Sequence, residues 1–204
     1  MTIRTHRGDL PDLSRYTGAV AIDTETLGLN PGRDRLCVVQ LSPGDGTADV
    51  VQIPAGIAAA PNLTKLLADP SRLKMFHFAR FDLAVLFKNL GVMAQPVYCT
   101  KIASRLARTY TDRHGLKDLA RELVNIDMSK QQQSSDWGAD QLSEAQIAYA
   151  ASDVLYLHEI KTKLDEMLER EGRRALAEAC FSFLPTRVAL DLSGWPDQDI
   201  FAHS

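Results

Sequence analysis

The stretch AIDTETLGL, residues 21–29, carries apolar residues straight into two carboxylates, Asp23 and Glu25. Successive side chains on a strand alternate faces, so positions 23 and 25 point the same way. Two carboxylates on one face of a buried strand repel each other. They are costly to desolvate unless a cation joins them. Alone, a D-x-E pair reads more simply as a solvated strand end. The rest of the chain decides between the two readings.

Around this stretch, residues 20–23, 36–41 and 49–53 read as strands. Gly28, Pro31, Gly32, Pro43, Gly44 and Gly46 supply the turns between them. An antiparallel, hairpin-rich start follows. Pro61 and Asn62 open a short helix ending near Ala68, and a strand covers 73–78. A helix over 79–90 is closed by Gly91. A strand at 97–99 and helices at 101–108 and about 115–124 come next. Ser143 and Gln146 form an S-x-x-Q capping box, so a helix begins at Ser143. Ile147, Ala150, Ala151, Val154, Leu155 and Leu157 keep helical spacing, and Arg170 and Gly172 mark its far end. A last helix spans 173–183, with Pro185 set against its continuation. Strands followed by strands mixed with helices predict an α/β mixed sheet covered by helices. The chain divides into one domain over 1–184 and a tail over 185–204. That tail holds Trp195 and Phe201 and is read either as an oligomerisation arm or as a segment folding back on its own domain.

Two further stretches carry acids. In HFARFDLAVLF, residues 77–87, Asp82 falls in the first turn of a helix, where acids are favoured in any case. In QIAYAASDVLYL, residues 146–157, Tyr149 and Asp153 are four apart and share a helical face. The small and apolar neighbours of Asp153 turn that face inward, so its carboxylate needs a partner. Each feature alone has an ordinary structural explanation. Together they are four carboxylates and a phenol, a set suited to divalent cations, which favour all-oxygen sites.

The 204 residues suit one well-cored domain. No apolar run reaches membrane-spanning length and the start lacks a signal-like apolar stretch, so a cytoplasmic, non-membrane protein is expected. Cys37, Cys99 and Cys180 are far apart and sit among apolar residues, so buried free thiols are expected. The net charge of −3 argues against a broad basic nucleic-acid footprint and toward a short or locally held substrate. Arg105, Arg108, Arg113 and His114 form one local basic cluster, read as a phosphate contact or as solvated helix ends.

The order and setting of these motifs resemble the DEDD exonuclease superfamily. AIDTETLGL is similar to its first motif, KMFHFARFDLAVL to its second, and YAASDVLYL to its third in the tyrosine-bearing form. The histidine-bearing branch needs a His five residues before Asp153, where Ala148 stands. The stretch KQQQSSDWGADQLSEAQIAYAASDVLYL, residues 130–157, resembles ribonuclease D, and the likeness spans residues 18–170. Short of the extra helical domains of ribonuclease D, the chain is similar to compact members such as the nanoRNase C (NrnC) family.

The resemblance implies a ribonuclease H-like fold and a 3′–5′ exoribonuclease that acts on very short RNAs and releases nucleoside 5′-monophosphates. It also implies a homo-oligomer. Trimming of structured RNA and cutting of DNA are the alternatives. Two Mg²⁺ or Mn²⁺ ions about 3.5–4 Å apart are expected on Asp23, Glu25, Asp82 and Asp153. Tyr149 is expected to orient the attacking water or to help accept its proton; an unperturbed phenol has a pKa near 10, so acting as a base at neutral pH requires help from the metals. Thr26, Leu27, His77 and Lys130 are the expected substrate contacts: Leu27 as a wedge against a base, His77 to phosphate or sugar, Lys130 to phosphate. Trp137 is read as packing.

Overall fold

The computed structural model describes residues 2–56, 59–129 and 131–203. A six-stranded mixed sheet forms its centre, built from β1 (Thr2–Arg7), β2 (Val20–Thr26), β3 (Leu36–Ser42), β4 (Thr47–Gln52), β5 (Lys74–Phe76) and β6 (Val97–Cys99). Its strand order is β1-β4-β3-β2-β5-β6. The β2–β3–β4 meander is antiparallel, as the turn residues predict. β1, β5 and β6 join in parallel. The hydrophobic runs of β3 and β4 are buried on both faces.

Among the described residues, seven helices cover the sheet: α1 (Pro61–Ala68), α2 (Ala79–Leu90), α3 (Thr100–Ala107), α4 (Leu116–Val124), α5 (Glu144–Leu155), α6 (Leu157–Arg170) and α7 (Arg174–Leu192). Gly91 caps α2 in the left-handed conformation, and Ser143 with Gln146 forms the capping box of α5. The architecture is the mixed α/β sheet with helical flanks that the sequence predicts.

One strand, β1, is not among those expected, and three expected elements are corrected. β1 is an edge strand with an exposed, polar alternation, TIRTHR, and carries no apolar run to announce it. It is held through Asp49 of β4, which meets the His6 ring at 2.9 Å and takes bonds from Arg15 (2.7 Å) and Tyr16 (2.6 Å). The strand at β5 is three residues long because Phe78 turns left-handed, φ 68°, before α2.

The helix expected over 143–172 is two helices that meet at Tyr156. α5 packs across the antiparallel strands, whereas α6 packs on α3, α4 and β5. The break brings His158 to the Ala19 carbonyl at 3.0 Å. It also brings the ring against Gly44 (φ 86°), where a Cβ would sit 2.7 Å from it. Finally, α7 runs through Pro185 to Leu192. Burial of Phe181, Leu184 and Val188 on both sides of the proline outweighs its missing N–H. Asp191, near the end of α7, is clamped by Arg80 and Arg187. Arg80 and Arg187 also bond the main-chain carbonyls of Pro196 and Trp195, so the start of the tail lies on its own domain.

Cys37 and Cys99 are buried free thiols; Cys180 is partly exposed on α7. Among the described residues no helix is long and apolar enough to cross a membrane.

Candidate active site

The central strand β2 lies between β3 and β5, and its C-terminal end opens into a cleft of about 590 Å³. Asp23 pairs in register with Gln40 of β3, whose Nε2 donates to Asp23 Oδ2 at 2.7 Å. Glu25 follows two residues later on the same face, just before a bulge at Thr26. Asp153 comes from the third turn of α5. Oxygens of Asp23, Glu25 and Asp153 all lie within 4.8 Å of one another.

Asp82 enters from the first turn of α2 and is 2% exposed. Its Oδ1 accepts the Thr24 hydroxyl at 2.7 Å. It lines the same cleft as the other three carboxylates, with one oxygen engaged by Thr24 of β2. Tyr149 stands one turn before Asp153, its ring centroid 6.0 Å from that of Trp137.

The charges explain one another. Burial pushes the Asp23 carboxyl up to about 7 against the bonds from Thr24 and Gln40. Burial and then the charges of Asp23, Asp153 and Asp82 push Glu25 up to about 10. Asp82 and Asp153 rise well above the usual carboxylate range, through burial and then the charge of Asp23. Burial raises Tyr149 as well, ahead of Asp153, Glu25 and Asp23. Among the described residues, none of the four carboxylates is paired with a basic side chain. Four converging acids without a counter-charge are what a divalent cation stabilises.

The 3′–5′ exonuclease family profile matches residues 10–169. The chain belongs to the 3′–5′ exonuclease family. Brucella melitensis NrnC with bound Mg²⁺ is 67% identical over 100% of both chains, with a TM-score of 0.96, which puts the chain in the ribonuclease D-like NrnC branch of that family. NrnC of the same organism bound to pGG is 68% identical over 100% of both chains, TM-score 0.97. Ribonuclease D of Gluconacetobacter diazotrophicus is 40% identical over 154 residues, 76% of this chain. The chain spans only 39% of the length of that relative.

Within this exonuclease fold, the cleft brings together Asp23, Glu25, Asp82, Tyr149, Asp153, Thr26, Leu27 and His77. Leu27 is 54% exposed at the cleft rim, so it is no core residue. A Cβ on Gly138 would lie 2.6 Å from its side chain, so the glycine makes room for it. Lys130 lies outside the described residues. Of the basic cluster, Arg108 is fully buried, paired with Glu122 and bonded to Ser104 Oγ and the Arg113 carbonyl, while Arg105 and Arg113 are exposed. Sequence reasoning missed Thr24, hidden between the two acids that flank it. It also missed Phe78, Lys101 and Lys117, which line the cleft wall. Trp137, 3% exposed, is packing as expected, but its packing partner is Tyr149.

Proposed function

We propose that this chain is a metal-dependent 3′–5′ exoribonuclease that takes very short RNAs and releases nucleoside 5′-monophosphates. The observation that carries the proposal is the convergence of Asp23, Glu25 and Asp153, with Asp82 behind them, in a cleft that leaves their charges unpaired. In this reading the four carboxylates hold two Mg²⁺ or Mn²⁺ ions. Bound ions of this kind supply Lewis-acid stabilisation of the charge that develops on the phosphate. The bound Mg²⁺ and pGG of the Brucella relatives support both the metal and a short substrate.

The protein's own groups do the rest. Gln40 fixes the rotamer of Asp23, and Thr24 fixes that of Asp82. Tyr149, its proton retained by burial and neighbouring acids, orients the attacking water by hydrogen bonding and does not abstract its proton. Leu27 and Thr26 meet the terminal nucleotide at the rim, and Lys130 meets a phosphate. The activity is placed in the cytoplasm, in keeping with the free thiols. The exposed Leu176, Trp195, Ile200 and Phe201 support an oligomer built through α7 and the segment 185–204.

Turnover of 5′-labelled RNAs and DNAs from two nucleotides upward, with Mg²⁺ and then with chelator, tests the reading. Chelator-sensitive preference for dinucleotides supports it. Better cutting of long structured RNA moves the protein to a ribonuclease D-like trimming role, and equal cutting of DNA makes it a general 3′–5′ exonuclease.

A further inference from the structure

His77 lies between β5 and α2 and lines the cleft. Its Nδ1 is 2.9 Å from Oγ1 of Thr100, and that hydroxyl is 3.2 Å from the main-chain carbonyl of Phe76. A carbonyl only accepts, so the single hydroxyl proton of Thr100 goes to Phe76. Oγ1 is then an acceptor toward His77, and Nδ1 must carry the ring proton. The opposite arrangement would set the oxygen lone pairs of Thr100 and Phe76 against each other in a fully buried site. The ring therefore offers a bare lone pair at Nε2.

Nε2 has no hydrogen-bond partner among the described residues, and it is not among the buried nitrogens sealed from solvent. Burial, and then the nearby charge of Lys101, hold the imidazole pKa down to about 3, so the ring stays neutral. A neutral lone pair faces phosphate oxygens, which carry lone pairs of their own, with repulsion. It attracts an O–H.

We infer that Nε2 of His77 accepts a hydrogen bond from a sugar hydroxyl of the bound nucleotide chain, so that His77 reads sugar and not phosphate. The inference rests on the exonuclease reading of the cleft and narrows the two roles that the sequence leaves open for this residue. Thr100 is a positioning residue, because it sets the tautomer.

The test is kcat/KM on a 5′-phosphorylated ribodinucleotide with each 2′- and 3′-hydroxyl replaced in turn by hydrogen, and the 2′-hydroxyl also by fluorine, which cannot donate. One of these replacements should cost the unsubstituted protein about 10-fold. The 2′ and 3′ arms identify which hydroxyl is read. His77→Leu should lose the same factor on the full ribodinucleotide and no longer distinguish it from the replaced one. His77→Gln keeps an acceptor and should retain part of the preference, and Thr100→Val should narrow it by releasing the tautomer. These two variants carry the test if His77→Leu does not fold.

Hydroxyl preferences unchanged in the His77 variants overturn the inference. So does indifference of the unsubstituted protein to every hydroxyl, or a variant effect that follows base identity. Absence of any chelator-sensitive turnover by the unsubstituted protein brings down the exonuclease reading itself, a separate result.

Discussion

The Thr24 hydroxyl donates to Oδ1 of Asp82 across 2.7 Å, tying the strand that carries Asp23 and Glu25 to the helix that carries the fourth acid. Thr24 is buried between two catalytic candidates and faces away from both. Its hydroxyl fixes the carboxylate rotamer that the cleft needs, and among the described residues it is the one side-chain donor to Asp82.

Thr24→Val keeps the β-branched shape and removes that donor. Stability should fall by about 1–2 kcal/mol, the cost of leaving a buried acceptor short of one bond. Turnover should fall by about 10-fold or more, with Thr24→Ser close to the unsubstituted protein. Urea melts and metal-dependent turnover check both. Full activity in Thr24→Val would show that Asp82 is held without it.

Asp23→Asn should abolish turnover and yet stabilise the metal-free protein. Asn still accepts from Gln40 and carries no charge toward Glu25, Asp82 or Asp153. The folded carboxyl of Asp23 is raised to about 7 by burial, so the stability it contributes is present at acid pH and lost as pH rises from the unfolded value through 7. The advantage of the variant should therefore be about 1 kcal/mol at pH 4.5 and about 4 kcal/mol at pH 8. Melting of chelated protein at the two pH values measures it; an advantage that shrinks with pH would contradict the charge repulsion.

The local chemistry of the chain was legible, and the long-range contacts were not. Strand alternation around Asp23, the Ser143 capping box and the Gly91 cap depend on a few neighbouring residues, so the spacing alone declares them. The Thr24–Asp82 bond spans 58 residues of sequence, and no pattern in either segment announces it. The same holds for the ring of Trp137 on Tyr149. The break at Tyr156 has no glycine or proline to mark it; it arises because α5 and α6 pack on different surfaces. Pro185 misled in the other direction, since a strong local rule gave way to burial of Phe181, Leu184 and Val188. Arg108 looked like surface charge because Glu122, its partner, lies on the next helix.

His77 provides a second dependence on pH. Its folded pKa, about 3, lies below the unfolded value of about 6.5, so the folded state resists taking up a proton. Its contribution is whole above pH 6.5 and is lost as pH falls toward 3. At pH 5 the loss is about 2 kcal/mol. His77→Gln does not titrate, so its stability should fall less between pH 7 and pH 5 than that of the unsubstituted protein. Parallel pH dependence in the two proteins would mean that the ring is not held neutral.

Arg108 ties the connection between α3 and α4 into the interior. Its guanidinium pairs with Glu122, bonds Ser104 Oγ at 3.1 Å and the Arg113 carbonyl at 2.7 Å, and lies over the Tyr110 ring. That connection delivers Gly115, Leu116 and Lys117 to the cleft wall. Arg108→Met keeps the length of the stem but leaves Glu122 and the Arg113 carbonyl without their buried partner. Breaking one side of such a pair costs about 3–5 kcal/mol when both ends are buried, and Glu122 is one-third exposed, so about 2–3 kcal/mol is expected. Because Lys117 then loses its fixed place, KM should rise severalfold while the carboxylates keep kcat within about threefold of its original value. A loss of kcat with KM unchanged would place the effect of Arg108 on the carboxylates and not on the wall opposite them.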